Sequence, residues 1–459
     1  MGVVALVRSI WVLSYAVVSA AGLLLTGVAI TGLPTKSRTA NVVLSLLSNH
    51  MSELPWTVIL LDVGFYIWLS ITGTAIRLFN YVNVISVAGL LYLFKRSIDS
   101  KATVDNFLNQ LSKDSRTCVE LPGPNSPRFW RQFLNPLHWP ENYTFYEDIP
   151  YWVSTEQMPI LRSESRNSIL QMVLDVYRPN KVQGGDDRPV FLYIHGGGWT
   201  SGSKKWTGPI LSELLSREWI VVSTGYRLNY KDGYPTQLID CKRALRWIKD
   251  EIRIFGGDPQ NIVVGGDSAG GHLAALLALT PNLPEFQPGF EKVDTTVQGC
   301  VPQSASMDLM DMKNYNHYNT RARFIKEVAR REGSAESEEN LKFLTEHSPI
   351  FKINGTSVPF LVVHGSLDTM IPVQFARDFA QKFQKESNAK FNYLEIPYGH
   401  HAFHVFPSPR TWYTVIATAE WLAINFDRHE PGKQTSAANE SRQKVQVHEL
   451  VEWGWSNDE

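Results

Sequence analysis

A serine between two glycines is the first feature of the sequence that could do chemistry. Ser268 stands in the segment Gly-Asp-Ser-Ala-Gly at 266–270, which follows the apolar run NIVVG and precedes a helical pattern. A serine on so sharp a turn between strand and helix has strained backbone angles, and the flanking glycines remove side chains that would collide. The turn exposes the hydroxyl, and the following helix directs its positive N-terminal end towards it. We therefore predict that Ser268 is a nucleophile.

A run of three glycines after another apolar run could hold negative charge. The segment His-Gly-Gly-Gly-Trp occupies 195–199 and follows VFLYI. Because glycine has no side chain, the backbone N–H groups of this loop can approach a substrate oxygen. With the N–H of Ala269 they would form an oxyanion hole, in which each donor contributes about 10²–10³ in rate. A phosphate-binding P-loop would end in Lys-Ser or Lys-Thr, which Trp199-Thr200 does not supply.

Candidates for an acid and a base lie further along the chain, each just after an apolar run. Asp368 follows PFLVV, and two adjacent histidines, His400 and His401, follow FNYLEI. Consecutive side chains diverge, so only one histidine of the pair can accept the proton of Ser268, while Asp368 would hold its other ring nitrogen. His404 is a third candidate for the base. The alternative interpretation of Asp368 is an N-cap of the helix that follows it.

These residues need a scaffold that brings the ends of several strands together. Apolar runs of four to six residues alternate with helical patterns, which is typical of a parallel sheet covered on both faces. We therefore predict an α/β fold with a mostly parallel, doubly wound sheet. The predicted strands lie at 170–177, 190–195, 219–226, 262–266, 297–303, 360–364 and 391–396, and the predicted helices at 235–255, 269–279, 372–385 and 410–426. A polar, helical insertion at 308–347 is expected to form a lid at the carboxyl edge of the sheet.

Five motifs together resemble one known family. They are HGGGW, YRL at 226–228, GDSAGG at 266–271, HGSLDTMIP and HHAF. In combination they resemble the hormone-sensitive-lipase-like carboxylesterase branch of the α/β-hydrolase superfamily, over residues 169–426. Membrane-anchored isoprenylcysteine methylesterases are similar in layout, but they typically carry different residues around the oxyanion glycines and the serine.

The resemblance implies a role for each candidate residue. Ser268 would be the nucleophile, Asp368 the acid and His401, which precedes Ala-Phe, the base. The oxyanion hole would consist of the N–H groups of Gly197, Gly198 and Ala269. Of the two departures from the family, one is the doubled histidine at 400–401, and the other is the apolar N-terminal region, which is not general to it.

The N-terminal hundred residues are unusually apolar. Residues 10–33 run for 24 positions without a charge, and a helix needs about 20 apolar residues to cross a bilayer. A second apolar stretch covers 56–94 and is broken only by Asp62 and Arg77. A secretory signal peptide would have an apolar stretch of about 7–15 residues, so we expect a retained membrane anchor with two or three helices. A re-entrant hairpin is the alternative for the second stretch.

Charges beside these stretches bear on orientation and localisation. Lys95, Arg96 and Lys101 follow the second stretch, and positive loops favour the cytosol. We therefore expect a multi-pass membrane protein, of the endoplasmic reticulum for example, with a catalytic domain on the cytosolic side. Three N-x-S/T sequons, at Asn142, Asn354 and Asn439, would suit a lumenal domain instead. The predicted domains are a membrane region at 1–100, a Pro- and aromatic-rich linker at 101–150, the catalytic domain at 151–426 and a polar tail at 427–459.

Composition narrows the classes of function. Among 459 residues there are 44 Lys and Arg, 45 Asp and Glu, and three cysteines. A net charge of −1 argues against nucleic-acid binding, and three scattered cysteines argue against a disulfide scaffold or a Cys-rich zinc module. Neither a metal-ligand spacing nor a dinucleotide-binding motif occurs, so no cofactor or metal is expected. The expected partners are a small-molecule or lipid-like ester and a membrane.

The sequence thus predicts a membrane-anchored serine hydrolase that cleaves a carboxylic ester through an acyl-enzyme on Ser268. The same machinery could act on an arylformamide, a lactone or a prenylcysteine methyl ester. An inactive hydrolase fold used as a binding protein is the alternative from another class. Such a protein would have lost the nucleophile, the histidine or the oxyanion glycines, and none of these is missing.

Overall fold

Eight strands form one sheet at the centre of the fold. In the computed structural model they are β1 (Tyr143–Pro150), β2 (Val173–Pro179), β3 (Arg188–Ile194), β4 (Ile220–Thr224), β5 (Gly257–Asp267), β6 (Gly299–Gln303), β7 (Phe360–Gly365) and β8 (Phe391–Ile396). Their order across the sheet is β1-β2-β4-β3-β5-β6-β7-β8. The pairs β1–β2 and β2–β4 are antiparallel, and every later pair is parallel. The structure describes residues 2–35, 37–71, 77–112, 121–127, 129–130, 142–152, 171–228, 233–316 and 319–427.

Within the described residues there are eleven α-helices, and several of them pack on the two faces of this sheet. They are α1 (Gly2–Thr31), α2 (Arg38–Glu53), α3 (Pro55–Ile71), α4 (Arg77–Ser112), α5 (Gly208–Ser216), α6 (Thr236–Glu251), α7 (Ala269–Leu279), α8 (Thr320–Arg323), α9 (Glu338–Glu346), α10 (Gln374–Glu386) and α11 (Pro409–Phe426). A π-helical turn at Phe324–Val328 continues α8, and short 3₁₀ turns occupy Ile252–Phe255, Pro284–Phe286, Pro349–Phe351 and Phe403–Val405.

Alternation along the strands explains why two layers of helices are needed. In β3, Val190, Leu192 and Ile194 pack in the core that includes α6, α7 and α10. Phe191 and Tyr193 point to the opposite face and pack in the core that includes α4, α5 and α11. Successive side chains of a strand face opposite sides of a sheet, so a continuous apolar run has to be buried on both. The predicted mostly parallel, doubly wound sheet is confirmed, and its topology matches the α/β-hydrolase fold.

Each predicted strand and helix of this core is present, with ends shifted by a few residues. Two features differ from the sequence-based expectation, whereas the insertion at 308–347 contains helices as expected. The segment expected to be a linker, 101–150, contains the end of α4 and the edge strand β1. Helix α5, between β3 and β4, was not among the predicted helices. The insertion at 308–347 contains α8, the π-helical turn and α9, and most of the polar tail lies outside the described residues.

The apolar N-terminal region forms α1 to α4. These helices share a small core that includes Ala29, Met51, Leu90 and Leu93. Within the described part of the chain, no helix is long and apolar enough to cross a membrane. The predicted transmembrane region is therefore not supported. Residues 72–76, between α3 and α4, lie outside the described residues.

Candidate active site

Ser268 lies on a sharp turn between β5 and α7, as the sequence predicted. Its φ of 53° and ψ of −118° place a non-glycine residue in a strained backbone conformation. A Cβ atom at Gly266 or Gly270 would collide with the carbonyl oxygen of Ile194, so both positions require glycine. The N–H of Ser268 donates to the carbonyl oxygen of Gln303 at 2.9 Å. The turn is thus held between the ends of β3 and β6, and Ser268 immediately precedes the N-terminus of α7.

Hydrogen bonds link Ser268, His401 and Asp368 in one chain. The Oγ of Ser268 lies 2.9 Å from Nε2 of His401, and Nδ1 of the same ring lies 2.8 Å from Oδ2 of Asp368. The second carboxylate oxygen of Asp368 accepts the N–H groups of Met370 at 3.0 Å and Ile371 at 2.7 Å. With Nδ1–H donating to the carboxylate, Nε2 is the nitrogen free to accept the serine proton. The structure therefore brings the three residues together from loops after β5, β7 and β8.

Electrostatics favours an ion pair between the acid and the histidine. Burial by itself would raise the pKa of Asp368, but His401 and His364 hold it well below its usual range. Burial by itself would lower the pKa of His401, but Asp368 and Asp267 raise it above its ordinary value of 6.5. Two carboxylates beside one imidazole thus stabilise the protonated ring that forms when a serine gives up its proton.

The other two candidate histidines do not reach Ser268. The Nε2 of His400 donates to the carbonyl oxygen of Ala29 in α1 at 2.8 Å, and burial lowers its pKa to about 4. His404 is also buried, which lowers its pKa to about 4, and neither ring nitrogen has a hydrogen-bond partner among the described residues. Of the three, only His401 bridges an acid and Ser268.

The glycine loop lies directly beside the serine turn. Gly197 has a φ of 123° and Gly198 a φ of 62°, and a Cβ at Gly197 would collide with the backbone of Ser201. The loop is tied to the turn by Asp267, whose Oδ1 accepts the N–H of Gly196 at 3.1 Å and the hydroxyl of Tyr193 at 2.6 Å. Sequence reasoning did not assign Asp267 a role, although it lies inside the Gly-Asp-Ser-Ala-Gly motif itself.

Three backbone N–H donors are available where the glycine loop meets the start of α7. Within the described part of the chain, the N–H groups of Gly197, Gly198 and Ala269 have no hydrogen-bond acceptor. Ala269 is the first residue of α7, where a helix has N–H groups without intrahelical partners. The insertion also reaches this loop, because Nη2 of Arg323 lies 3.5 Å from the carbonyl oxygen of Gly198. The loop can therefore offer donors to an oxygen bound near Ser268.

Several charged or ring-bearing residues near these motifs have structural partners. The Nε2 of His272 donates to the carbonyl oxygen of His347 at 2.9 Å. The Nδ1 of the same His272 ring accepts a hydrogen bond from the indole N–H of Trp199 at 3.3 Å. Asp240 accepts two hydrogen bonds at 2.8 Å from the guanidinium of Arg227, in the YRL motif. In the described residues, no group of three or more His, Cys, Asp or Glu side chains could hold a metal ion.

Sequence reasoning also missed the contacts of α2 with the acid and base loops. The side-chain amide of Asn41 donates to the carbonyl oxygen of Thr369 at 2.7 Å, and that of Asn49 donates to the carbonyl oxygen of His401. More than 300 residues separate the members of each pair. No local pattern marks an asparagine on an amphipathic helix for such a contact.

Several known proteins are similar to this chain. The BD-FAE family model matches residues 174–383. The probable carboxylic ester hydrolase LipM of Mycobacterium tuberculosis is 36% identical over 266 residues, which cover 58% of this chain and 61% of LipM. The esterase LipQ of the same organism is 32% identical over 275 residues, which cover 58% of this chain and 62% of LipQ. The chain thus spans less than two thirds of the length of either relative.

A solved structure extends the comparison to the fold. A truncated form of a carbohydrate esterase from gut microbiota superposes with a TM-score of 0.50 at 19% sequence identity. The alignment covers 62% of this chain and 98% of that one. At this level of identity the likeness concerns the fold alone.

Proposed function

We propose that this protein is a serine hydrolase that cleaves carboxylic esters through an acyl-enzyme on Ser268. The observation that carries the proposal is the hydrogen-bonded chain from Ser268 through His401 to Asp368, built on a strained turn beside free backbone N–H groups. The similarity to LipM and LipQ, both named as ester hydrolases, supports the same reaction class.

The geometry supports a two-step reaction. The Oγ of Ser268 attacks the ester carbonyl carbon while its proton passes to Nε2 of His401. When the tetrahedral intermediate collapses, the ester bond breaks and the alcohol leaves with that proton. Water then attacks the acyl-enzyme with His401 as the base, and the carboxylic acid leaves while Ser268 recovers its proton. Asp368 keeps the ring oriented and stabilises the imidazolium in both steps.

The oxyanion of each intermediate would lie among the N–H groups of Gly197, Gly198 and Ala269. Backbone donors held in place before the reaction stabilise developing charge without reorganisation, and each contributes about 10²–10³ in rate. The positive end of α7 adds to the same effect because Ser268 immediately precedes its first residue. The proposed substrate class is a small-molecule or lipid-like ester. Arylformamides, lactones and prenylcysteine methyl esters are the alternative substrates for the same catalytic residues.

A fluorophosphonate probe tests the nucleophile directly. The wild-type chain should be labelled and should hydrolyse p-nitrophenyl esters. Ser268→Ala should lose both the label and the hydrolysis, whereas Ser216→Ala, a change at the exposed end of α5, should keep both. Undiminished labelling of Ser268→Ala would refute the proposal. Labelling of the wild type without turnover of any ester, amide or lactone offered would favour a binding protein.

We also propose that the protein associates with membranes through α1, α3 and α4. Helix α4 packs against both others, and together they expose many large apolar side chains. These are Leu13, Val17, Val18, Leu24, Leu60, Leu61, Val63, Ile67, Ile71, Tyr81, Val84, Ile85 and Leu91. Soluble monomers rarely expose so large an apolar surface, and a lipid surface removes it from water. Lys95, Arg96 and Lys101 on α4 favour a cytosolic catalytic domain.

Two measurements test this localisation. The full chain should stay with membranes after high salt and be absent from the soluble fraction, and substituting Leu60, Leu61 and Ile67 with Ser should weaken that binding. Quantitative release of the wild type by salt alone would contradict the proposal. Asn142 and Asn354 are both exposed, so glycans on either residue in secretory-pathway membranes would instead assign the domain to the lumenal side.

A further inference from the structure

The corner between α1 and α2 lies against the loops that carry the acid and the base. Gly32, just after α1, contacts the acid loop, where a Cβ would lie 3.3 Å from the side chain of Leu367. From α2, Asn41 donates to the carbonyl oxygen of Thr369, next to Asp368, at 2.7 Å. About two helix turns further along α2, Asn49 donates to the carbonyl oxygen of His401. Helix α2 therefore contacts the backbone of both loops with side-chain amides.

The contact of Asn49 is made with the backbone of His401 itself. The peptide that accepts this hydrogen bond is the one that carries the imidazole towards Ser268. The N–H of the same peptide, that of Ala402, lies 3.4 Å from Oγ of Ser304, and the N–H of Phe403 lies 3.3 Å from the carbonyl oxygen of His400. Both are long for hydrogen bonds of these types. Asn49 thus bonds the carbonyl side of this peptide, and Ser304 faces its N–H side.

Asn49 is poorly explained as a residue that only stabilises the fold. Its side chain is buried, and its Oδ1 has no hydrogen-bond partner among the described residues. A buried acceptor without a partner is costly, so packing alone would favour an apolar residue at this position. Helix α2 also has a separate anchor, because Glu53 pairs with Arg410 and accepts the hydroxyl of Ser408 at 2.6 Å. The docking of α2 therefore does not depend on Asn49.

We propose that Asn49 is a positioning residue for the hydrolysis, which holds the His401 peptide so that the ring bridges Ser268 and Asp368. Asn41 holds the acid loop in the same way. This inference rests on the function proposed above. The two ring contacts, at 2.9 and 2.8 Å, require the imidazole to be placed within a fraction of an ångström. A displacement of about 1 Å can cost on the order of 100-fold in rate.

The test uses the full-length chain and Asn49→Leu, which keeps the volume of the side chain and removes the donor. Active sites are counted with the fluorophosphonate probe, so that kcat refers to competent enzyme. We expect kcat to fall about 10- to 100-fold with KM little changed. The matched control is Ser48→Ala on the same helix. Ser48 is also buried, its hydroxyl has no partner in the described part of the chain, and its loss should leave kcat unchanged.

A pH profile separates positioning from a structural role. The groups facing His401 are Asp368, Asp267, His404 and Ser268. If Asn49→Leu loosens the ring from Asp368, the pKa of His401 falls and the acidic limb of kcat/KM moves to lower pH. The proposal would be overturned if Asn49→Leu has fewer active sites but an unchanged kcat and an unchanged acidic limb of kcat/KM. It would also be overturned if the variant behaves like the wild type in all three measurements. If Asn49→Leu does not fold, Asn49→Ala is judged by the same criteria. Activity that survives Ser268→Ala would refute the proposed function instead.

Discussion

His400 and His401 are neighbours in the chain, yet their rings serve different parts of the molecule. The ring of His401 reaches Ser268 and Asp368, whereas that of His400 reaches the backbone of α1. The left-handed backbone of Ala402, with a φ of 55°, turns the chain sharply just after the pair. The spacing alone left both histidines open and the resemblance favoured His401; the geometry now shows that the ring of His401 faces Ser268.

This geometry predicts unequal effects of substituting the two histidines. His401→Ala and Asp368→Asn should each lower kcat by about 10⁴–10⁶, because they remove the base or its orienting partner. His400→Ala should cost about 10-fold or less, because it removes a single hydrogen bond to α1. Steady-state kinetics on purified variants with circular dichroism as a folding control decide the matter. A dead His400→Ala beside an active His401→Ala would place the base one residue earlier.

The charges around His401 predict the pH dependence. Asp368 and Asp267 raise its pKa above 6.5, and the ring must be neutral to accept the proton of Ser268. Activity is therefore present above that pKa and is lost as the pH falls through it. We expect the acidic limb of kcat/KM to lie above pH 6.5. In Asp368→Asn the residual activity should show a limb at lower pH, and a limb that does not move would show that another group titrates.

At the scale of elements, the anchor of α2 is a buried ion pair. Glu53 and Arg410 are both fully buried, and Ser52 also accepts a hydrogen bond from Arg410 at 3.2 Å. Burial raises the pKa of Glu53, although Arg410 opposes that shift. Removing two charges from water is costly, and their attraction offsets the cost only while both remain. The pair therefore ties the end of α2 to the first turn of α11.

This pair predicts a large loss of stability when it is broken on one side. Glu53→Gln should lower the free energy of unfolding by about 3–5 kcal/mol, since Arg410 would stay buried without a countercharge. Replacing both partners, as Glu53→Leu with Arg410→Met, should restore much of the loss. Asp378→Asn, which breaks the exposed pair with Lys313, should change stability little. Urea unfolding measures the free energy of unfolding of the three variants. If Glu53→Gln is no less stable than the double variant of Glu53 and Arg410, this account is contradicted.

At the scale of the whole molecule, α4 joins the N-terminal helices to the sheet. Its first half packs in the small N-terminal core through Leu90 and Leu93. Its second half contributes Val104, Phe107 and Leu108 to the core beside α11. Helix α4 thus begins in the region predicted as 1–100, and its second half packs against the region predicted as 151–426.

A chain that begins at residue 101 should therefore be impaired even though every triad residue remains. It would lack Glu53, Asn41 and Asn49, and with them the ion pair to Arg410 and the hydrogen bonds to the loops that carry Asp368 and His401. We expect a lower melting temperature and a kcat reduced by about 10-fold or more. A chain that ends at residue 427, which removes only the predicted tail, is the control and should match the full chain. Full activity and stability of the shorter chain from 101 would show that the N-terminal helices are dispensable.

The local sequence determined most of the elements and predicted the candidate reacting groups. The run NIVVG followed by Gly-Asp-Ser-Ala-Gly predicts a strand, a turn and a helix, because each depends on neighbours within a few residues. Apolar runs with both faces buried likewise predict the central strands, whereas the edge strand β1, half of whose residues are exposed, carries no such run and was missed. The family motifs then implied roles for Ser268, Asp368 and His401 before any geometry was available.

Tertiary structure alone decided which side chains meet across long separations. His401 rather than His400 faces Ser268 because the loop after β8 turns at Ala402, and Asp267 ties the glycine loop to the serine turn. The contacts of Asn41 and Asn49 and the pair of Glu53 with Arg410 join residues more than 300 positions apart. Such partners leave no period or spacing in the chain. They arise only when α2 comes to lie against the loops that carry Asp368 and His401 and against the first turn of α11.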